Sequence, residues 1–341
     1  MTPVDGHIQK IYEEIEDLVF ETFELWDNDR VGFRWKHYLP NHTKRVHAAC
    51  LELGKREGAS LLELSFASTL HDITKAYDGE IYTDSNGNRI LDENGFWKNE
   101  VLLPARQNKV TRLYDSNNLY GTMHHLSGAF IARTLLEEYG LEQSFVDNVS
   151  AIIAAHVKPR NLPAEEYNRI YSKIESQIIY DADTIDANLG FVAFFRNIHI
   201  HAPRYKKNGG FDMGNYINSI EPWINRKQDF ADGLFTRTAR KIGEERQQRK
   251  RYLYQQLVSE QQDPALNSKY GMMGILNYFV EQTDEPDFGK QLGYLQQRWI
   301  PERKKLLEHD RSSHNHELAM KSLEHSVDFC TILSEEALGI K

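Results

Sequence analysis

The stretch Ser60-Leu-Leu-Glu-Leu-Ser-Phe-Ala-Ser-Thr-Leu-His-Asp-Ile-Thr-Lys75 carries the strongest structural signal in this chain. Ser60 and Glu63 have the spacing of a capping box, and the apolar residues that follow predict a helix. This helix ends at the adjacent pair His71-Asp72, and Lys75 follows one turn later. Imidazole and carboxylate groups bind divalent metals, so the stretch predicts a helical fold with chemistry at the end of one helix.

Composition narrows the class of protein. The chain has 341 residues, 40% of them hydrophobic, which is enough for a large core. Its formal net charge of -9 argues against broad electrostatic attraction to nucleic acid or to an anionic membrane. We therefore expect a small-molecule substrate. Composition leaves the oligomeric state open, homo-oligomers included.

Cysteine content and hydropathy predict the compartment. Cys50 and Cys330 are the only cysteines, so neither a disulfide framework nor a zinc-cysteine site is indicated. No apolar stretch reaches 18 residues, and the N-terminus does not resemble a signal peptide. These features predict a cytoplasmic protein that does not enter membranes.

Apolar residues recur at helical spacing along most of the chain, which predicts an all-α fold. The predicted helices cover about 6–26, 42–57, 60–72, 122–139, 144–156, 170–198, 219–260, 268–282, 290–308 and 315–337. The polar run at 203–216 has the composition of a loop. We therefore predict a catalytic core at 1–205 and a helical C-terminal region at 206–341.

A polar segment at 77–121 interrupts the helices. Asn86-Gly87 lies between the short runs 80–83 and 89–91, which is a signal for a small β-hairpin inserted between helices. Two roles are open for this insertion: a lid over the site, or a surface loop without a catalytic role.

Four histidines lie on the apolar faces of predicted helices: His42, His71, His124 and His156. A single histidine in such a position is usually a core residue. A helical bundle that buries four imidazoles together with the carboxylates of Asp72 and Asp183 must compensate their desolvation, and metal coordination does so. Ligands of these types accept Mn, Fe, Zn, Mg or Co, and six ligands suffice for two ions.

Five motifs in this order resemble the HD-domain superfamily of metal-dependent phosphohydrolases. They are His42-Thr-Lys-Arg-Val46, His71-Asp-Ile-Thr-Lys75, His124-His-Leu-Ser-Gly-Ala129, Ile152-Ile-Ala-Ala-His156 and Asp181-Ala-Asp-Thr-Ile-Asp186. The resemblance covers roughly residues 10–200. It implies an HD-domain helical bundle in which a first metal is bound by His42, His71, Asp72 and Asp183. It also implies a second metal held by His124 and His156, with Asp72 as the bridging carboxylate.

Two ligand assignments have alternatives. His125 is the alternative to His124, and Asp181 is the alternative to Asp183. Asp78 and Asp186 are expected to lie outside the ligand set.

The resemblance implies hydrolysis of a phosphate mono- or diester, of a nucleotide or another small molecule, by a metal-activated water. Asp72 and Lys75 are the expected catalytic residues, and Lys75 would also contact a phosphoryl oxygen. The alternative role for Lys75 is to cap a helix C-terminus. Arg160, Arg196 and Arg204 are further candidates for substrate binding.

Two other functions compete with phosphoester hydrolysis. Some proteins with similar ligand sets use two iron ions to activate oxygen, so an HD-type diiron oxygenase is the second hypothesis. The third is a regulatory or scaffold protein with a vestigial metal site.

Overall fold

The structure is a computed structural model. It describes residues 6–27, 30–31, 34–35, 37–85, 89–91, 97–158, 162–207, 210–282, 286–309 and 315–339, and at 30, 31, 204, 205 and 207 it describes the backbone alone. Helices dominate these ranges, which confirms the predicted all-α fold. None of the described helices combines the length and the apolar character that a membrane span requires.

The chain divides into two compact units. Unit 1 contains Met1–Asp183 and Phe235–Ala239, and unit 2 contains Thr184–Leu234 and Arg240–Lys341. The domain boundary predicted at residue 205 stays a prediction, because compactness alone does not define an independently folding domain.

Unit 1 is a helical bundle with α3 at its centre. Its helices are α1 (Gly6–Phe23), α2 (Tyr38–Glu57), α3 (Leu61–Leu70), α4 (Lys109–Ser116), α5 (His124–Glu138), α6 (Gln143–Ala155), α7 (Ala164–Ile170) and the larger part of α8 (Ile174–Asn188). Apolar residues at three- and four-residue steps face the core, as Ile11, Ile15 and Val19 do on α1. Helix α3 packs against α1, α2 and α6, so its C-terminus lies deep in the unit.

The ends of α2 and α3 have clear local causes. Helix α2 ends at Gly58, whose φ of 75° lies in the left-handed region that favours glycine. Ser60 caps α3 by accepting the backbone N–H of Glu63. The reciprocal half of the predicted capping box is absent, because the Ser60 N–H donates to Glu175 instead.

The insertion contains the predicted hairpin in a modified form. Strands β3 (Asp78–Ile81) and β4 (Asn99–Val101) pair antiparallel, and single bridges join Thr83 to Arg89 and Leu91 to Trp97. The segment 89–91 thus contacts both neighbours without forming a strand of its own. Residues 86–88, which contain the predicted Asn86-Gly87 turn, lie outside the described residues.

Some short elements were not predicted. Helix α4 lies within the insertion, and α7 follows α6. Strands β1 (Arg30–Val31) and β2 (Arg34–Trp35) pair just before α2. These elements are too short to show a recognisable periodicity.

Unit 2 is also helical. It contains α9 (Gly190–Lys207), α10 (Met213–Asp232), most of α11 (Arg237–Glu260), α12 (Pro264–Tyr270), α13 (Met272–Glu281), α14 (Phe288–Tyr294), a π-helical segment (Leu295–Trp299), α15 (Ile300–His309) and α16 (His316–Ala337). The loop predicted at 203–216 is therefore wrong for 203–207, which complete α9 despite Pro203, and for 213–216, which begin α10.

The long helical pattern predicted at 170–198 is divided at Gly190. This residue has a φ of 81°, and a Cβ there would lie 2.3 Å from a carboxylate oxygen of Glu336. Glu336 is fully buried and accepts the backbone N–H groups of Phe191 and Val192 and the guanidinium of Arg249. The anionic side chain thus satisfies the N-terminus of α9, where backbone N–H groups favour negative charge.

Candidate metal centre and active site

Asp72 lies at the centre of a group of buried histidines in unit 1. It follows the C-terminus of α3, in the turn that His71 opens. Its Oδ2 lies 3.6 Å from Nε2 of His42 and 3.6 Å from Nε2 of His71. Its Oδ1 lies 3.6 Å from Nε2 of His124 and 3.5 Å from Nε2 of His156. Each carboxylate oxygen therefore faces a different pair of histidines.

These distances fit shared metal coordination better than hydrogen bonding. Hydrogen bonds from nitrogen to oxygen usually span about 2.7–3.2 Å. Two donors each about 2.1 Å from one ion stand about 3.0–3.5 Å apart at octahedral or tetrahedral angles. The distances around Asp72 are close to that second range, as is the 3.5 Å between the Nε2 atoms of His42 and His71.

Three of the histidines are oriented by a bond at the opposite ring nitrogen. Nδ1 of His71 donates to the carbonyl of Ser68, and Nδ1 of His156 donates to the carbonyl of Ile153, each at 2.7 Å. Nδ1 of His124 lies 2.7 Å from a carboxylate oxygen of Asp78. An imidazole that donates through Nδ1 presents its Nε2 lone pair, which is the form that binds a metal.

The Nε2 atom of His156 shows whether the residues present suit a metal ion. It is buried, and it has no hydrogen-bond partner among the residues that the structure describes. A buried polar atom left without a partner is costly. Since this atom points towards Asp72 with its lone pair available, a divalent ion would satisfy it, and the residues present fit that ion.

Asp183 lies on the His42 side of the centre. Its Oδ1 is 3.0 Å from Nε2 of His42, and the His42 ring stacks on Tyr38. Asp181 accepts instead from the backbone N–H groups of Phe235 and Thr236 and from the Thr236 hydroxyl, all within unit 1. Asp183 thus contacts His42 but belongs to neither group of facing ligand atoms, while both carboxylate oxygens of Asp181 are bonded to Phe235 and Thr236.

Burial governs the protonation of the centre. It lowers the pKa of His71 to about 4, so this imidazole is neutral at neutral pH. It also lowers the pKa of His124, an effect that the nearby Lys75 ammonium reinforces. Burial alone would raise the pKa of Asp72, but the facing histidines hold it well below its usual range. Neutral imidazoles around a carboxylate are the protonation states that a metal requires.

Lys75 lies beside the buried histidines, in the short 3₁₀ turn that follows Asp72. Its ammonium is 2.9 Å from Asp78 and 3.1 Å from Nδ1 of His124. Burial would raise the pKa of Asp78, but Lys75 and His124 lower it far below the usual range. Asp78 therefore connects the cation to a histidine of the centre.

Arg34 is a further cation at the site that the sequence motifs do not predict. It lies on β2, is 7% exposed, and donates through Nη2 to the carbonyl of Ala76, 3.0 Å away. Burial lowers its pKa to about 10, while the charges of Asp78 and Asp72 act in the opposite direction. Its Nε atom has no hydrogen-bond partner within the described part of the chain. The two-residue strand gives no periodic signal that would reveal its burial.

The remaining predicted residues lie elsewhere or outside the description. His125 is buried next to His124, but it does not belong to either group of facing ligand atoms. Arg160 and the side chain of Arg204 lie outside the described residues. Arg196 lies in unit 2 and donates to the carbonyl of Ala187. Substrate binding by these arginines stays a prediction.

Two groups of possible metal ligands are present in the described part of the chain. One contains His42, His71 and Asp72, the other contains Asp72, His124 and His156, and within each group the ligand atoms lie within 4.8 Å of one another. Asp72 belongs to both groups. Residues 40–188, which contain all of them, match the HD domain family.

Residues 40–188 of this chain are an HD domain.

The resemblance inferred from the sequence motifs is thereby confirmed for residues 40–188. A comparison with curated protein sequences gives no match.

Solved structures of similar proteins include a predicted HD superfamily hydrolase from an uncultured Thermotogales bacterium. It is 23% identical, with 73% of this chain and 91% of that chain covered and a TM-score of 0.40. Bacillus subtilis YpgQ is 20% identical, with 76% and 98% covered and a TM-score of 0.41. A structure of YpgQ in complex with ADP is 19% identical, with the same coverage and a TM-score of 0.40.

Proposed function

We propose that this HD-domain protein hydrolyses a phosphate mono- or diester of a small molecule at a centre of two divalent ions. The observation that carries the proposal is the position of Asp72. One of its oxygens faces His42 and His71, and the other faces His124 and His156. A carboxylate placed in this way can bridge two ions.

The protein's own residues have separable roles in this proposal. His42, His71 and Asp183 would hold one ion, His124 and His156 would hold the other, and Asp72 would contact both. The carbonyls of Ser68 and Ile153 fix two of the imidazole rings. When bound, divalent ions would lower the pKa of a coordinated water and polarise a phosphoryl oxygen.

Charge at the centre favours an anionic substrate. Three carboxylates, those of Asp72, Asp78 and Asp183, stand beside the cations Lys75 and Arg34. Two divalent ions would give this group a net positive charge, which a phosphate ester would neutralise. We propose Lys75 as the side chain that neutralises a phosphoryl oxygen, because an ammonium is a compact point charge suited to phosphate.

The test combines elemental analysis of the purified protein with a panel of nucleotide and other phosphoester substrates. We expect close to two divalent ions per chain and hydrolysis that a chelator abolishes and added metal restores. Asp72→Ala should lose both metal and activity while its circular dichroism stays helical. A folded Asp72→Ala protein with full metal content and full activity would refute the proposal. An iron-only protein that consumes oxygen and hydrolyses none of the panel would favour the diiron oxygenase instead.

A further inference from the structure

Asp78 opens the hairpin of the insertion, and one of its oxygens contacts two residues of the site. Its Oδ2 lies 2.7 Å from Nδ1 of His124 and 2.9 Å from the ammonium of Lys75. Asp78 is buried, so water competes little for these two contacts. The proposed hydrolysis gives this carboxylate no role of its own.

The contact with Asp78 determines which ring nitrogen of His124 carries the proton. A neutral imidazole has one N–H group and one lone pair, and an ionised carboxylate can only accept hydrogen bonds. Nδ1 of His124 therefore carries the proton and donates to Asp78. Nε2 is left with its lone pair, 3.6 Å from Oδ1 of Asp72. This is the form of the ring that can bind a metal.

Lys75 favours the opposite form of the same ring. Its ammonium lies 3.1 Å from Nδ1 of His124, and an ammonium can only donate. Without Asp78, Nδ1 would accept from Lys75 and the proton would move to Nε2, where it would block a metal ion. Asp78 prevents this because its Oδ2 accepts from the imidazole and from the ammonium at once.

The other two histidines with an oriented Nδ1 do not need a carboxylate. Nδ1 of His71 and Nδ1 of His156 each face a backbone carbonyl, which can only accept. A backbone oxygen fixes the metal-binding form without a contribution from another side chain. Of these three rings, His124 is the one whose metal-binding form depends on a side chain.

The backbone around Asp78 is held from two directions. Asp78 is the first residue of β3 and pairs with Val101 of β4. On the preceding side, Arg34 donates through Nη2 to the carbonyl of Ala76, 3.0 Å away. The hairpin and this buried arginine thus hold the carboxylate beside His124.

We propose that Asp78 is a positioning residue for the ion that His124 and His156 would hold: it sets the metal-binding form of His124 and keeps Lys75 beside it. This role rests on the proposed function, because it requires an ion at that half of the centre. It also gives the insertion a role that differs from a lid and from a passive surface loop, which is to support one half of the centre.

The first experiment determines the protonated nitrogen of His124 without metal or catalysis. In chelated protein with ¹⁵N-labelled histidines, the ¹⁵N chemical shifts distinguish the protonated ring nitrogen from the bare one. The His124 signals are those absent from His124→Gln. We expect the proton on Nδ1 in the wild-type protein and on Nε2 in Asp78→Ala. His71 and His156 are internal controls, because their backbone partners are unchanged.

Lys75→Met is the matched control variant. It removes the other partner of Asp78 and leaves the carboxylate in place, so the proton should stay on Nδ1 of His124. A folded Asp78→Ala protein that keeps this proton on Nδ1 would overturn the inference. So would an equal change at His124, His71 and His156, because it would show a general disturbance of the bundle.

The second experiment measures Mn²⁺ binding by titration calorimetry. We expect two binding events in the wild-type protein and in Lys75→Met. Asp78→Ala should weaken one event by about 100-fold and the shape-conserving Asp78→Asn should weaken it by about 10-fold, the two ends of the usual range for a partner of a metal-binding histidine. The weakened event should be the one that His156→Asn abolishes.

The other event should be unchanged, because the group of His42, His71 and Asp72 does not include Asp78. Equal weakening of both events would overturn the inference, as would wild-type affinity in Asp78→Asn. The asparagine variant decides the question if Asp78→Ala does not fold.

The outcomes separate the role of Asp78 from the proposed hydrolysis. An active enzyme whose Asp78 variants bind both ions with wild-type affinity would overturn the role of Asp78 and leave the hydrolysis intact. A protein that binds two ions and hydrolyses no phosphoester would refute the hydrolysis, while the Mn²⁺ titration would still decide the role of Asp78. A wild-type protein that binds a single ion would overturn both.

Discussion

Replacing His156 by Asn should empty one half of the proposed metal centre and leave the other half intact. Among the described residues, the Nε2 atom of His156 has no hydrogen-bond partner to lose, and Nδ1 makes one bond, to the carbonyl of Ile153. Loss of that bond costs about 0.5–1.5 kcal/mol in the metal-free protein. The group of His42, His71 and Asp72 is untouched. We therefore expect a folded variant that binds one ion per chain.

The expected loss of stability in His156→Asn follows from the coupling between metal binding and folding. An ion that binds only the folded protein stabilises it by about 2.7 kcal/mol when its free concentration is 100 times its dissociation constant. Two such sites contribute about 5 kcal/mol, and a single site contributes half of that. The difference in unfolding free energy between metal-loaded and chelated protein should therefore fall by about one half in His156→Asn.

Urea unfolding with and without chelator, together with elemental analysis, measures both quantities. His199→Asn is the matched control, since His199 is fully buried in unit 2 and its Nε2 lies 3.0 Å from Gln291. The control should lose about 1–3 kcal/mol in both conditions, with no change in metal content or in the chelator difference. If His156→Asn kept the metal content and the chelator difference of the wild-type protein, His156 would not be a ligand.

Three further predictions concern other residues. Asp183→Asn should lower metal affinity by at least about 10-fold, whereas Asp181→Asn should lower the melting temperature without changing metal affinity, as titration calorimetry and thermal melts would show. Lys75→Met should lower kcat/KM for phosphoesters by about 10- to 100-fold in steady-state assays, and Lys75→Arg should recover part of this loss because the charge is retained. Burial raises the pKa of Glu260 from 4.5 to about 7, although two backbone amides at the start of α13 oppose the rise. The unfolded chain thus releases this proton first as pH rises from 4.5 to 7, and the folded state should lose on the order of 3 kcal/mol over that window. Urea unfolding of wild-type protein and Glu260→Gln across this window should show a smaller loss in the variant, and parallel curves would contradict the prediction.

Much of the fold was predictable because its information is local. The apolar spacing of α1 and the cap at Ser60 each depend on residues within a few positions of one another. The division between α8 and α9 was missed because it depends on Glu336, which is distant in sequence and occupies the space beside Gly190. The continuation of α9 through Pro203 was also missed, because the polar composition of 203–216 predicted a loop.

In the candidate site, too, residues with a local sequence signal were predicted, whereas a residue placed by tertiary contacts was not. His42, His71, His124 and His156 were found because each stands on an apolar helix face, where an unpaired imidazole is costly. The structure brings them together around Asp72, while their roles as ligands stay predictions. Arg34 was missed because its burial is set by tertiary contacts, and no periodic pattern surrounds it.

Anomalous X-ray diffraction from crystals of the manganese-loaded protein would locate the ions themselves. We expect two peaks, each about 2.0–2.3 Å from one carboxylate oxygen of Asp72. The peak at one oxygen should lie beside His42 and His71, and the peak at the other oxygen should lie beside His124 and His156. A map without a peak at Asp72, or with ions bound only elsewhere, would contradict the bridging role of Asp72.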